Sequence, residues 1–207
     1  MTQTAISLTS LKGGVGKSTL AMNLAGALNL NANTALVDED PLRSCYQWAH
    51  RNGELSQTSS TEVLLPEAAR ETDLGTYRYV VVDTEGRPST QDLAGLIDSS
   101  RWTLIPCGTS GLEIDGTLRL IEDLKQNSAD LEKVRVVITR APPVGTVGLQ
   151  ARDALRSAGV PVASSVVRSY VAHQKAAEMG LLVKDVADPR ASRAWSDVLE
   201  LAMEVVG

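Results

Sequence analysis

Apolar residues recur along the chain in two alternating rhythms. Short runs rich in Val, Ile, Leu and Ala lie around Ala5, Ile6 and Leu8, and over residues 34–38, 77–83, 102–106, 133–139 and 160–167. Near-continuous apolar runs of this length suit strands of a parallel sheet that is covered on both faces. Between them, Leu20, Met22, Leu24, Ala27 and Leu28, and the segments 112–124, 148–158, 171–179 and 190–205, carry apolar positions at helical spacing. A further helix carries Tyr46, Trp48 and Ala49 on one side and is expected to end near Asn52 and Gly53. Residues 54–61, rich in Ser, Thr and Gln, read as surface loop. A short strand over 62–65, a short acidic helix over 66–72 and a helix starting near Ser89 complete the pattern. Strand followed by helix, again and again, predicts an α/β fold of three layers. Its central sheet is mostly parallel, with right-handed crossovers and helices on both faces. No repeat, low-complexity tract or linker interrupts the chain, so residues 1–207 are expected to form one domain.

Composition narrows the class. Hydrophobic residues make up 43% of the 207, enough for a sizeable core, and 3% aromatic content without any Phe makes that core aliphatic. The formal charge of −5 does not mark the whole protein as a nucleic-acid binder, so any such contact must come from a local patch. Cys45 and Cys107 show no metal-ligand spacing and read as reduced thiols of a cytoplasmic protein. No stretch has the pattern of a signal peptide or the ~20 apolar residues of a membrane span.

The chemistry concentrates in residues 11–19, Leu-Lys-Gly-Gly-Val-Gly-Lys-Ser-Thr, between the first strand and the first helix. That context is the one a phosphate-binding loop requires. Gly13, Gly14 and Gly16 let the chain curl so that backbone N–H groups face one anion, and the helix adds its positive end. With Val15 and Thr19 they form the candidate phosphate cradle, in which Lys17 reaches the β- and γ-phosphates and Ser18 ligates Mg2+. Two strands then end in acids: 34–38 runs into Asp38, Glu39, Asp40 and Pro41, and 77–83 ends at Asp83 in a Walker B pattern. Carboxyl ends of strands are where open α/β sheets hold their ligands. Asp83 is therefore a candidate for Mg2+, directly or through water.

The loop departs from the usual phosphate-binding form: its first glycine would fall at Leu11, and a second lysine, Lys12, precedes the glycine pair. With that lysine the sequence resembles the deviant Walker A ATPases that include the ParA partition proteins, MinD and the nitrogenase iron protein. It looks most like short ParA ATPases and a related virulence ATPase. The resemblance implies a P-loop NTPase fold, ATP and Mg2+ as cofactors, and slow hydrolysis of ATP to ADP and phosphate. It implies catalytic roles for Lys12, Lys17 and Asp40: Lys12 reaches across a homodimer to the partner's nucleotide, and Asp40 orients the attacking water. Asp38 would support the magnesium shell. The turn over residues 84–88 departs from the partition-protein form Asp-x-x-Pro, because Glu85 and Arg87 intervene before Pro88. Arg87 fits either a structural ion pair or a γ-phosphate sensor.

By the same resemblance, adenine lies between the loop at Thr139 and Arg140 and the loop at Val167, Arg168 and Ser169. Arg140 fits a stacking role or a plain exposed arginine equally well. Arg168, Lys175, Lys184, Arg190 and Arg193 gather where partition ATPases contact DNA, but acids lie among them, so a solvated mixed-charge face is the competing reading. The implied function is an ATP-driven dimerisation switch, cytoplasmic and nucleoid-associated. It would bind DNA without sequence preference, segregate plasmid, chromosome or large protein cargo, and be released when a ParB-like adaptor stimulates hydrolysis. The rivals are a MinD-like spatial regulator acting on a membrane or protein complex, and an ATP-dependent metabolic ligase of the same fold. The acidic amphipathic segment at 195–207 argues against a membrane anchor and for a helix packed on the core.

Overall fold

The computed structural model describes residues 3–51 and 61–207. The expected helix end near Asn52 and Gly53, and the polar loop up to residue 60, lie outside the described residues. Among the described residues seven strands form one sheet: β1 (Thr4–Leu8), β2 (Thr34–Asp38), β3 (Glu62–Leu64), β4 (Tyr79–Asp83), β5 (Trp102–Cys107), β6 (Val134–Ala141) and β7 (Val162–Arg168). Their spatial order is β3-β2-β4-β1-β5-β6-β7, and every pairing is parallel. From β1 the chain builds first to one side and then to the other. The crevice beyond the carboxyl end of β1 is thus the switch point at which such sheets bind ligands.

Eight helices cover the sheet among the described residues: α1 (Lys17–Leu28), α2 (Ser44–Ala49), α3 (Pro66–Glu71), α4 (Thr90–Ser99), α5 (Gly111–Gln126), α6 (Val147–Ser157), α7 (Val171–Met179) and α8 (Ala191–Val206). Alternate residues of one strand feed opposite layers. Leu36, Val81, Leu104 and Val137 join α1, α2, α7 and α8, whereas Ile105, Val136 and Ile138 join α4, α5 and α6. A smaller cluster of Val37, Val80 and Leu64 packs beside Ala69 of α3. This is the three-layer architecture the apolar runs predict, with an aliphatic core.

Helix α1 is buried almost all round, as a central helix must be. Gly26 leaves room for the Leu182 side chain, since a Cβ there would lie 2.4 Å from Leu182 Cδ1. Its buried Asn23 ties two segments together: the amide donates to Thr19 O, and its oxygen accepts from Val183 N at 2.8 Å. At the sheet edge, Glu204 of α8 accepts from Ser164 N and Ser165 N, and Arg152 donates to Ser164 O. The outer backbone groups of β7 are thereby occupied, which blunts edge-to-edge pairing. α8 buries Ala194, Val198, Leu201, Ala202 and Val205 against the core, the packing expected of the acidic terminal segment. No helix among the described residues is long and apolar enough to cross a membrane.

Candidate functional site

Between β1 and α1 the loop turns on two glycines in the left-handed region, Gly14 (φ 77°) and Gly16 (φ 89°), a conformation that costs any side chain but is free for glycine. Residues from β6 fasten it. Thr139 Oγ1 donates to Val15 O at 2.8 Å, and the Arg140 guanidinium donates to Gly14 O. Two groups flagged by the sequence near the base thus brace the phosphate loop itself. Gly16 caps α1, whose first residue is Lys17.

Lys17 is 7% exposed and sits between two carboxylates, its Nζ 2.7 Å from Asp83 Oδ1 and 3.0 Å from Asp40 Oδ2. Burial alone would lower its pKa, but Asp83 and then Asp40 outweigh that and hold it above the ordinary lysine value. The other oxygen of Asp83 accepts from the Cys45 thiol at 3.2 Å. Burial, with Asp83 and Asp38 nearby, pushes the Cys45 thiol well up, so it remains a protonated donor. Asp38, 1% exposed, spends both oxygens on backbone: Oδ1 accepts from Asp40 N and Oδ2 from Tyr46 N. It therefore pins the turn that presents Asp40. Burial raises its pKa, opposed by the Tyr46 N–H.

These groups border an open groove of about 580 Å3 lined by Lys12, Gly13, Gly14, Gly16, Lys17, Ser18 and Thr19 on one side. Asp40 and the turn Glu85, Gly86 and Arg87 line the other. Asp38 and Asp83 stand beneath its floor and do not line it. Lys12 is exposed and pairs with nothing among the described residues. Arg87 is held at φ 64° by its N–H donating to Ser10 O at 2.7 Å; its side chain is exposed and forms no salt bridge among the described residues. Arg43 (φ 49°) and Arg140 (φ 53°) are also left-handed, so three arginines in a sparsely populated conformation ring the carboxyl ends of the strands.

No cluster of three or more His, Cys, Asp or Glu among the described residues is arranged to hold a metal by itself. Mg2+ takes one or two carboxylates together with phosphate oxygens, and hard oxygen donors such as the Ser18 hydroxyl and the Asp83 carboxylate fit it on those terms. A second cavity of about 400 Å3 adjoins the groove, sharing Gly14, Gly16 and Thr19 with it. It brings together Arg140, Val167 and Arg168, the residues that the resemblance sets around the base. The Arg168 guanidinium, however, is committed to Asp197, with Nε to Oδ2 at 3.1 Å and Nη2 to Oδ1 at 2.6 Å. Lys175 pairs likewise with Asp188 and Lys184 with Asp185. Three of the five basic residues that drew attention in the sequence are thus tied to acids.

Residues 6–183 match the family model described as the CobQ/CobB/MinD/ParA nucleotide binding domain. The chain belongs to that family. Within it the lysine-bearing loop makes this chain a ParA/MinD-type deviant Walker A ATPase. Two relatives are similar over most of its length. "Maintenance of carboxysome distribution protein A" of Gloeobacter kilaueensis is 32% identical over 200 residues, 94% of this chain and 90% of that protein. Protein virC1 of Rhizobium radiobacter is 33% identical over 187 residues, 84% and 80% of the respective chains. The fold matches the solved ATP complex of a Cyanothece McdA variant with a TM-score of 0.71 at 15% identity, over 98% of this chain and 96% of that one.

Sequence reasoning missed Cys45 and the bracing role of Thr139. A thiol one residue into a short helix gives no signal until the fold lays it against Asp83.

Proposed function

We propose that this ParA/MinD-family chain is an ATP-driven dimerisation switch that hydrolyses ATP to ADP and phosphate. The observation that carries the reading is Lys12. It is an exposed cation at the lip of the groove, next to a buried Lys17 that already has two carboxylate partners, and it has no partner among the described residues of its own chain. A second copy facing the groove would place its own Lys12 on the bound triphosphate, completing the charge neutralisation that phosphoryl transfer to water requires.

In this reading Lys17 leaves Asp83 and Asp40 for the β- and γ-phosphates, and the glycine loop donates its N–H groups to the same oxygens. Mg2+, held by Ser18 and Asp83 with Asp38 behind, would balance the phosphate charge and the carboxylates that Lys17 vacates. Asp40, freed from Lys17, accepts a hydrogen bond from the attacking water and orients it. Arg140 and Val167 border the base.

The cargo is a plasmid, a chromosome or a large protein body, the last supported by the name of the Gloeobacter kilaueensis relative, and an adaptor protein accelerates hydrolysis. The dimer holds DNA without sequence preference and thereby rides on the cytoplasmic nucleoid. Arg190 and Arg193, exposed at the start of α8 and in no salt bridge among the described residues, are the candidate contacts, doubled by dimerisation. Co-sedimentation with DNA in ATP, in ADP and without nucleotide tests this. Pelleting in ATP alone is expected, and equal pelleting in all three conditions, or none in any, would refute it.

A further inference from the structure

The turn between β4 and α4 carries an arginine whose side chain the fold itself does not use. That turn is laced to the strand from which the phosphate loop emerges. Thr84 donates twice to Leu8 O, from its N–H at 3.1 Å and from its hydroxyl at 2.9 Å, and the Arg87 N–H donates to Ser10 O at 2.7 Å. These ties hold Arg87 at φ 64°, in the left-handed region that glycine enters freely and other residues seldom adopt. Sparsely populated backbone of this kind gathers at ligand clamps and switch segments. The guanidinium is exposed, and among the described residues it forms neither a salt bridge nor a hydrogen bond. Of the two roles left open by the sequence, the fold does not supply the structural ion pair.

Its place along the groove identifies the group it faces. The groove and the adjoining cavity share Gly14, Gly16 and Thr19, whereas Lys17, Ser18, Asp40 and Arg87 line the groove alone. A triphosphate with its base in the cavity and its chain on the glycine loop therefore ends on the side of Arg87. Asp40 and Glu85 line that same side, and their carboxylates repel a phosphate. A guanidinium beside them offsets the repulsion. It stays charged at any working pH, and its planar fork of donors matches two phosphate oxygens, which a lysine ammonium does not. In the reading above Lys12 serves the partner's nucleotide, which leaves Lys17 and Arg87 as the cations that a subunit offers to its own terminal phosphate.

We infer that Arg87 grips the terminal phosphate of the nucleotide in its own subunit and thereby sets the preference for the triphosphate over the diphosphate. ADP lacks the phosphate that Arg87 holds. The inference rests on the nucleotide reading of the groove, and the test separates the two. Dissociation constants for a slowly hydrolysed ATP analogue and for ADP, both with Mg2+, are measured by calorimetry on the wild type. They are measured again in the Lys12→Ala background, where a second copy adds nothing to the affinity, with Arg87 intact, with Arg87→Gly and with Arg87→Lys. Glycine accepts φ 64°, so Arg87→Gly should keep the turn and melt no lower than its parent. It should bind the triphosphate roughly ten- to a hundredfold more weakly, the worth of a charge-assisted hydrogen bond, with ADP affinity unchanged. Arg87→Lys keeps the charge without the fork and should recover part of the preference. An unchanged ratio of the two affinities in Arg87→Gly overturns the inference and leaves the nucleotide site standing. Equal loss of both ligands also overturns it. A wild type that binds neither ligand overturns the nucleotide reading itself.

Discussion

Replacing Lys17 by Met keeps most of the side-chain volume and removes the charge that two carboxylates share. Asp83 is fully buried and lies 2.7 Å from the ammonium, while Asp40, 15% exposed, lies at 3.0 Å. Without Lys17, the Asp83 carboxylate retains, among the described residues, the Cys45 thiol on its other oxygen. Stranding one member of a buried ion pair costs roughly 3–5 kcal/mol, and the better solvated Asp40 adds little to that. For a domain of this size each kcal/mol moves the melting temperature by about 2–4 °C, so a fall of roughly 10 °C is expected in the nucleotide-free protein. The assay is thermal and urea unfolding of Lys17→Met, Asp83→Asn and the double variant. Asp83→Asn removes the stranded charge, so Lys17→Met should cost about 2 kcal/mol less in that background than in the wild type. An identical cost in both backgrounds would show that Lys17 and Asp83 are uncoupled before nucleotide binds, and would refute the exchange of partners on which the mechanism depends.

Two further expectations concern other parts of the site. Asp40→Ala should bind ATP and hold the nucleotide-bound dimer, with phosphate release reduced by about a hundredfold or more in a coupled phosphate assay, as for a lost water-orienting base; release at the wild-type rate would exclude Asp40 from that role. Burial holds His173 at about 4 in the fold against 6.5 in the open chain, so below pH 6.5 the unfolded state takes up a proton that the folded state refuses. Stability contributed by the neutral imidazole is therefore present at pH 7, declines between pH 6.5 and 4, and levels off below, by about 3 kcal/mol in all. His173→Phe should flatten that part of the urea-unfolding profile, and two superimposable profiles would contradict the burial argument.

Much of the architecture was written in local patterns that tertiary context had no reason to override. Continuous apolar runs placed β2 over the residues they cover, helical spacing placed α5 and α7, and Ser89 does cap α4 by accepting from Asp92 N. The phosphate loop was legible because strand, glycines, lysine and helix are contiguous in sequence. What stayed hidden depends on distant segments. Thr139 meets Val15 only because β6 runs parallel two places from β1, and Cys45 meets Asp83 only because α2 covers the end of β4. The basic residues near the C-terminus read either as a DNA patch or as a mixed-charge face, and the sequence could not say which acid meets which base; in the fold Asp197, Asp188 and Asp185 pair with three of them.

Light scattering on size-separated protein, with Mg2+ and a slowly hydrolysed ATP analogue, bears most directly on the role of Lys12. The wild type is expected at twice its monomer mass and Lys12→Ala at the monomer mass, while equilibrium dialysis shows both still binding the nucleotide. A Lys12→Ala protein that dimerises like the wild type would contradict the shared site.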